Sequence, residues 1–201
     1  MKKLLVVLTI MMCTFVQAQK MKVTSGNFDF LKGETELNLV MDYSSMTFYK
    51  EKMDENAYIK KREKDILDSE KDRTEVENWK NDWEHSKKVT FVEKFLASMN
   101  KNSKRINTSE NNAAAKYTLI VETVWIYPGW FGGVMKQPAK VSTLLKFVET
   151  TNPDTVLLEI TSKNAPGDNF VGVPNNNDRI AEGYAKTGKS LAKMLSKKVK
   201  K

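Results

Sequence analysis

Residues 117–127, YTLIVETVWIY, constrain this chain more than any other stretch. β-Branched and aromatic side chains dominate them, so they read as a strand. The apolar residues do not keep to one face. Ile120, Val124 and Ile126 alternate with Leu119, Val121 and Trp125. A strand that is apolar on both sides belongs inside a sheet, with packed layers to cover it.

The neighbouring segments supply the sheet and the layers. Residues 140–150 and 155–161 read as two further strands. The turn Thr151, Asn152, Pro153, Asp154 joins them as a hairpin. The strand at 117–127 pairs with that hairpin across a loop containing Pro128, Gly129, Gly132, Gly133 and Pro138, giving a three-strand meander over 117–161. Upstream, residues 36–43 read as a first strand, and an extended stretch follows through Met46, Phe48 and Tyr49. Residues 104–108 fit a short strand, and residues 20–34 a lead-in without regular structure.

Residues 50–90 differ sharply. They hold eleven Lys/Arg and twelve Asp/Glu, both signs interspersed, with no proline or glycine. Opposite charges three and four apart favour solvated helices. Val76, Trp79 and Trp83 share one helical face, and Phe91, Phe95 and Met99 continue it. The spacing predicts helices over 54–68 and 72–99. After a Pro/Gly/Asn loop at 163–177, Asn177 or Asp178 caps a last helix running to residue 200. The expected fold is an α/β (α+β) sandwich. Its mostly antiparallel sheet has four to five strands, with helices packed on it and a charged helical insertion after the first strand.

The amino terminus carries an address. Lys2 and Lys3 precede an apolar run from Leu4 to Val16, and Val16, Gln17 and Ala18 suit signal peptidase. Residues 1–18 read as a signal peptide cleaved after Ala18. A single domain, 19–201, is then secreted, to the periplasm or the outer membrane. A run of thirteen residues, eleven of them apolar, falls short of the roughly 20 a spanning helix needs. Cys13, the one cysteine, leaves with the signal, so no disulfide is expected. One histidine, His85, sits on the charged helix and reads as solvated. No catalytic constellation, cofactor site or metal site emerges.

The formal charge is +8. Residues 183–201 hold seven lysines and no acid, so the remaining mature chain is near neutral. Lys186, Lys189, Lys193 and Lys197 lie on one side of the last helix, opposite Ile180, Tyr184, Leu191 and Leu195. Two readings fit: a solvated face, or a surface that meets an anionic polymer or lipid. Nucleic acid is not expected. Residues 183–190, GYAKTGKS, match the phosphate-loop pattern letter for letter. A phosphate loop needs a buried strand before it, and here the helical apolar spacing runs straight through. No nucleotide site is expected; the two glycines suit a close approach of helix to sheet.

The stretch around Trp125, Tyr127, Trp130 and Phe131 places four aromatics about a Pro/Gly turn. Such rings can form a stacking platform or a partner hot spot; the alternative is that Trp125 and Tyr127 are core or edge residues. Asp168 and the asparagines at 175–177 read as loop and helix cap.

Four segments, FLKGETELNLVMDYSSMTF (30–48), AKYTLIVETVWIYPGW (115–130), GVMKQPAKVSTLLKFVETTNP (133–153) and RIAEGYAKTGKSLAKML (179–195), resemble a group of small secreted, largely uncharacterised proteins of Bacteroidota, which carries no established activity. More loosely, the order of elements resembles the α/β sandwich of the Tol-system periplasmic protein's amino-terminal domain and of the curli-secretion lipoprotein. The resemblance implies envelope binding rather than catalysis. The expected function is non-catalytic binding of a macromolecular envelope partner, a protein or an anionic surface. Alternatives are a carrier of a small apolar ligand and a carboxylate-only hydrolase.

Overall fold

The computed structural model describes residues 19–69, 71–132, 135–168 and 176–199. Residues 1–18, the expected signal peptide, lie outside them.

The chain opens on β1 (Lys20–Gly26), then β2 (Glu36–Asp42) and β3 (Thr47–Phe48). Three helices follow: α1 (Glu55–Asp68), α2 (Arg73–His85) and α3 (Phe91–Asn102). Next come β4 (Asn107–Glu110), β5 (Tyr117–Tyr127), β6 (Trp130–Gly132), β7 (Met135–Gln137), β8 (Ala139–Glu149) and β9 (Asn152–Gly167). Helix α4 (Asn176–Lys198) ends the described chain. No described helix is long and apolar enough to cross a membrane.

The fold is α+β, but the sheet is larger than expected. It has seven strands in the order β1-β9-β8-β5-β2-β4, with β3 also paired to β5. It is also mixed. The β1–β9, β9–β8 and β8–β5 pairs are antiparallel, whereas β2 runs parallel to both β4 and β5, and β3 parallel to β5. The long helical excursion between β3 and β4 permits this, since parallel neighbours need a crossover rather than a tight turn. The first part of the lead-in, Lys20–Gly26, is in fact a strand, β1. The 128–138 loop contains a small second hairpin, β6 on β7.

Charge patterning did predict helices. Asp54 caps α1 at the Ala57 N–H and Asp72 caps α2 at the Glu75 N–H. The expected single helix over 72–99 is interrupted by one π turn, Ser86–Thr90. Such a turn leaves a carbonyl off the regular ladder. The Tyr43 hydroxyl donates to the Lys87 carbonyl at 2.9 Å and satisfies it.

The described helices cover one face of the sheet. Leu119, Val121 and Ile126 of β5 and Leu145 and Phe147 of β8 are fully buried there. Thr123 Oγ1 meets Tyr184 Oη of α4 at 2.7 Å. On the other face Ile120, Val124 and Leu144 are only half-buried, and Lys146 pairs with Glu122 at 2.5 Å. The second covering layer expected from the two-sided alternation is absent among the described residues.

Residues 183–190 lie wholly inside α4, so no loop forms to cradle a phosphate. A Cβ on Gly183 would stand 2.6 Å from Val141 Cγ2, and one on Gly188 would stand 2.5 Å from the Phe95 carbonyl oxygen. Gly183 therefore lets α4 approach the sheet, as expected, while Gly188 lets it approach α3.

Candidate functional site

A continuous run of aromatic rings occupies one end of the sheet. It starts in the core, where Phe48 stacks on Tyr58 at 3.9 Å. Tyr58 meets Tyr49 at 6.1 Å, and Tyr49 meets Tyr127 edge-on at 5.9 Å. Tyr127 stacks with Trp125 at 6.4 Å. Tyr49, Trp125 and Tyr127 are half-buried, and Trp130, at 42% exposure, joins them through a shared hydrogen-bond partner, Gln137.

Two backbone irregularities build this run. In β5, Thr123 lies opposite Thr143 but Trp125 lies opposite Ser142, so Val124 is an extra residue. The bulge moves every later side chain to the other face. Without it Trp125 would continue the buried Leu119, Val121, Thr123 series; with it Ile126 enters the core and Trp125 and Tyr127 share the uncovered face. The second irregularity is Tyr49, with φ of 56°. This left-handed conformation costs a bulky residue on the order of 1–3 kcal/mol. Its N–H donates to the Ile126 carbonyl at 3.1 Å, and its carbonyl accepts from Trp125 Nε1 at 2.6 Å. Those two bonds hold the strained residue where its ring reaches Tyr127.

Gln137 of β7 ties the outer rings together. Its Oε1 accepts from Tyr127 Oη at 2.5 Å and from Trp130 Nε1 at 3.1 Å. With the carbonyl oxygen used twice, the amide nitrogen of Gln137 is the side chain's remaining donor. Lys61 of α1 stands 5.8 Å from the Tyr49 ring centroid. Burial pushes the Tyr49 phenol above its ordinary range, against the pull of Lys61 and Arg62, so it stays a neutral donor. The site can offer flat apolar area rimmed by an amide, phenols and the Lys61 ammonium, which is itself paired with Asp65 at 2.8 Å.

Of the residues singled out by sequence, the structure brings together Trp125, Tyr127 and Trp130. The backbone of Phe131 is in β6, but its side chain lies outside the described residues. Tyr49, Gln137 and Lys61 were not anticipated. Tyr49 sat in a stretch already read as extended; nothing in the sequence marked Gln137. Lys186, Lys189, Lys193 and Lys197 form an exposed stripe along α4 and belong to a different surface. His85 is exposed at the end of α2. Asp168 pairs with Lys136 at 2.9 Å, Asn177 donates to Asp82, and Asn175 lies outside the described residues.

No protein-family model matches the chain, and no curated protein does. Among solved structures it is similar to the PelC dodecamer from Paraburkholderia phytofirmans, at 15% identity and a TM-score of 0.37, over 87% of this chain and 97% of that one. A variant of that dodecamer gives 13% identity and a TM-score of 0.38, over 90% and 99%. A neuraminyllactose-binding hemagglutinin homologue from Helicobacter pylori gives 14% identity and 0.31, over 83% and 91%. None of the three is a Tol-system or curli protein. Likeness at this level carries no argument about function.

Proposed function

We propose that the protein is a secreted, non-catalytic envelope protein that binds a macromolecular partner through the aromatic end of its sheet. One observation carries the reading: a β-bulge turns Trp125 and Tyr127 out of the core, and the strained Tyr49 and twice-bonded Gln137 then hold the rings in one array. The bulge also seats Ile126 in the core, but that seating does not call for the bonds that tie Trp125 to Tyr49 and both Tyr127 and Trp130 to Gln137. A preorganised array of half-exposed Trp and Tyr rings is the composition of interface hot spots, because such rings give large contact area at little conformational cost. The layer between sheet, α3 and α4 is filled by Phe91, Phe95, Phe147, Tyr184 and Leu191, which favours a surface site over an internal carrier cavity.

The test is co-sedimentation of the purified protein with outer-membrane vesicles and with peptidoglycan, over a salt series. Binding that persists at high salt and falls at least about tenfold with Tyr127→Ala plus Trp130→Ala supports the proposal. Binding indifferent to both substitutions, or none to either fraction, refutes it.

A further inference from the structure

The two edges of the sheet are finished differently. Strand β4 ends it on one side, and Asn100 of α3 closes that edge. Asn100 Nδ2 donates to the Thr108 carbonyl at 2.8 Å, and the Thr108 N–H donates to Asn100 Oδ1 at 2.9 Å. The carboxamide thus stands in for a neighbouring strand. On the other side β1, seven residues long, ends the sheet. Among the described residues nothing pairs with its outer edge. An open edge is a template for strand addition.

Charge gathers on both sides of that edge. Lys20 and Lys163 are directly opposite on β1 and β9, a like-charge pair that costs stability in isolation. Met21 and Val23 pack toward the core, so Lys20 and Lys22, together with Lys163, project from the uncovered face. Helix α4 borders the other side. Ser190 Oγ donates to Gln19 Oε1, and Gln19 Nε2 donates to Ser162 Oγ at 2.8 Å, which pins the start of β1 against the helix. Lys186, Lys193 and Lys197 lie within two helical turns of Ser190 on its solvent side, and Lys189 adjoins it. None of these seven lysines is ion-paired with a described carboxylate. The nearby acids are occupied: Glu159 accepts from Thr24, Glu182 from Lys94, and Asp168 from Lys136.

We propose that β1 receives an extended acidic peptide segment as an added strand. Side chains of a strand point alternately to the two faces. Successive carboxylates of the added strand would therefore meet Lys20, Lys22 and Lys163 on one face and the α4 lysines on the other. The free N–H and C=O groups of β1 supply the ladder. A plain anionic surface would use the α4 stripe alone and leave the β1 edge idle. This surface is distinct from the aromatic end and does not depend on it.

The test is fluorescence anisotropy with a labelled oligo-glutamate peptide long enough to span β1. Lys20→Glu with Lys22→Glu, and separately Lys189→Glu with Lys193→Glu, should each weaken binding at least about tenfold. All four side chains are exposed, so thermal unfolding checks that the fold survives. A fully N-methylated peptide of the same charge, which cannot donate to a ladder, should also lose at least about tenfold. Three outcomes overturn the proposal: no binding, binding insensitive to the β1 reversals, or equal binding of the N-methylated peptide or of polyphosphate. The last two would reduce the lysines to an electrostatic surface.

Discussion

Trp125 stands opposite Ser142, one residue out of step with the Thr123–Thr143 pair on the same two strands. That offset decides which aromatics belong to the core and which to the surface. It divides β5 into a buried half, ending at Thr123, and an aromatic half with only Ile126 buried.

The division predicts unequal mutational costs. Phe91 is fully buried, so Phe91→Ala should cost about 3–5 kcal/mol. Trp130→Ala, at the open end of the array, should cost less than about 1 kcal/mol. Urea unfolding of the two variants gives the comparison. Equal costs would mean that Trp130 is structural.

Tyr43→Phe should destabilise by about 1–3 kcal/mol, because the Lys87 carbonyl in the π turn loses the hydroxyl that satisfies it. The loss should localise to residues 86–91, which amide hydrogen exchange can read.

Tyr58 should behave in the opposite sense. Its ring is fully buried between Phe48, Trp79 and Trp83, and its hydroxyl has no hydrogen-bond partner among the described residues. Tyr58→Phe removes an unpaired buried polar group and keeps the ring, so stability should rise by up to about 1–2 kcal/mol. A loss in chemical denaturation would show that the hydroxyl is satisfied.

Gly188→Ala should lower stability despite the better helix propensity of alanine, worth about 1 kcal/mol. The new Cβ would press on the Phe95 carbonyl oxygen at 2.5 Å, and backbone there cannot yield without separating α3 from α4. Overpacking of this kind costs about 1–3 kcal/mol, so a lower Tm is expected, and no change in binding to the envelope fractions.

Alkali should unfold the protein. Burial raises the phenols of Tyr43, Tyr58 and Tyr184 above their ordinary pKa. Lys87 is raised as well; burial alone would lower it, but hydrogen bonds to Glu55 and Glu84 outweigh that. Each group holds its proton more tightly folded than unfolded. Their contributions are therefore intact below the unfolded pKa, about 10 for all four, and are lost as pH rises toward the folded values. Denaturation at stepped pH should show stability falling above pH 10, with a shallower fall in Tyr58→Phe.

Much of the fold was legible because patterning and packing agreed. Strand β2 shows its apolar alternation in Leu37, Leu39 and Met41, β5 and β8 are rich in β-branched and other apolar residues, and the capped, charge-paired helices α1 and α2 announce themselves. β1 was hidden because KMKVTSG offers only Met21 and Val23 as apolar residues, the pattern of an edge strand with one covered side. The bulge at Val124 and the π turn leave no local mark; each exists because tertiary contacts fix it, Ile126 entering the core beside Phe48 and Tyr43 reaching the Lys87 carbonyl. The aromatic end was half legible. Trp125, Tyr127 and Trp130 cluster in sequence, whereas Tyr49 and Gln137 join them only through the parallel β3–β5 pairing and the β6–β7 hairpin.

The most direct measurement is acrylamide quenching of tryptophan fluorescence, with and without outer-membrane vesicles or peptidoglycan. Trp83 is buried and contributes little quenching. In Trp79→Phe the quenchable signal comes from Trp125 and Trp130; in Trp125→Phe with Trp130→Phe it comes from Trp79. Binding should protect the first protein from acrylamide and leave the second unchanged. Protection of Trp79 alone, or binding with Trp125 and Trp130 still freely quenched, would place the partner elsewhere and contradict the assignment of the aromatic end.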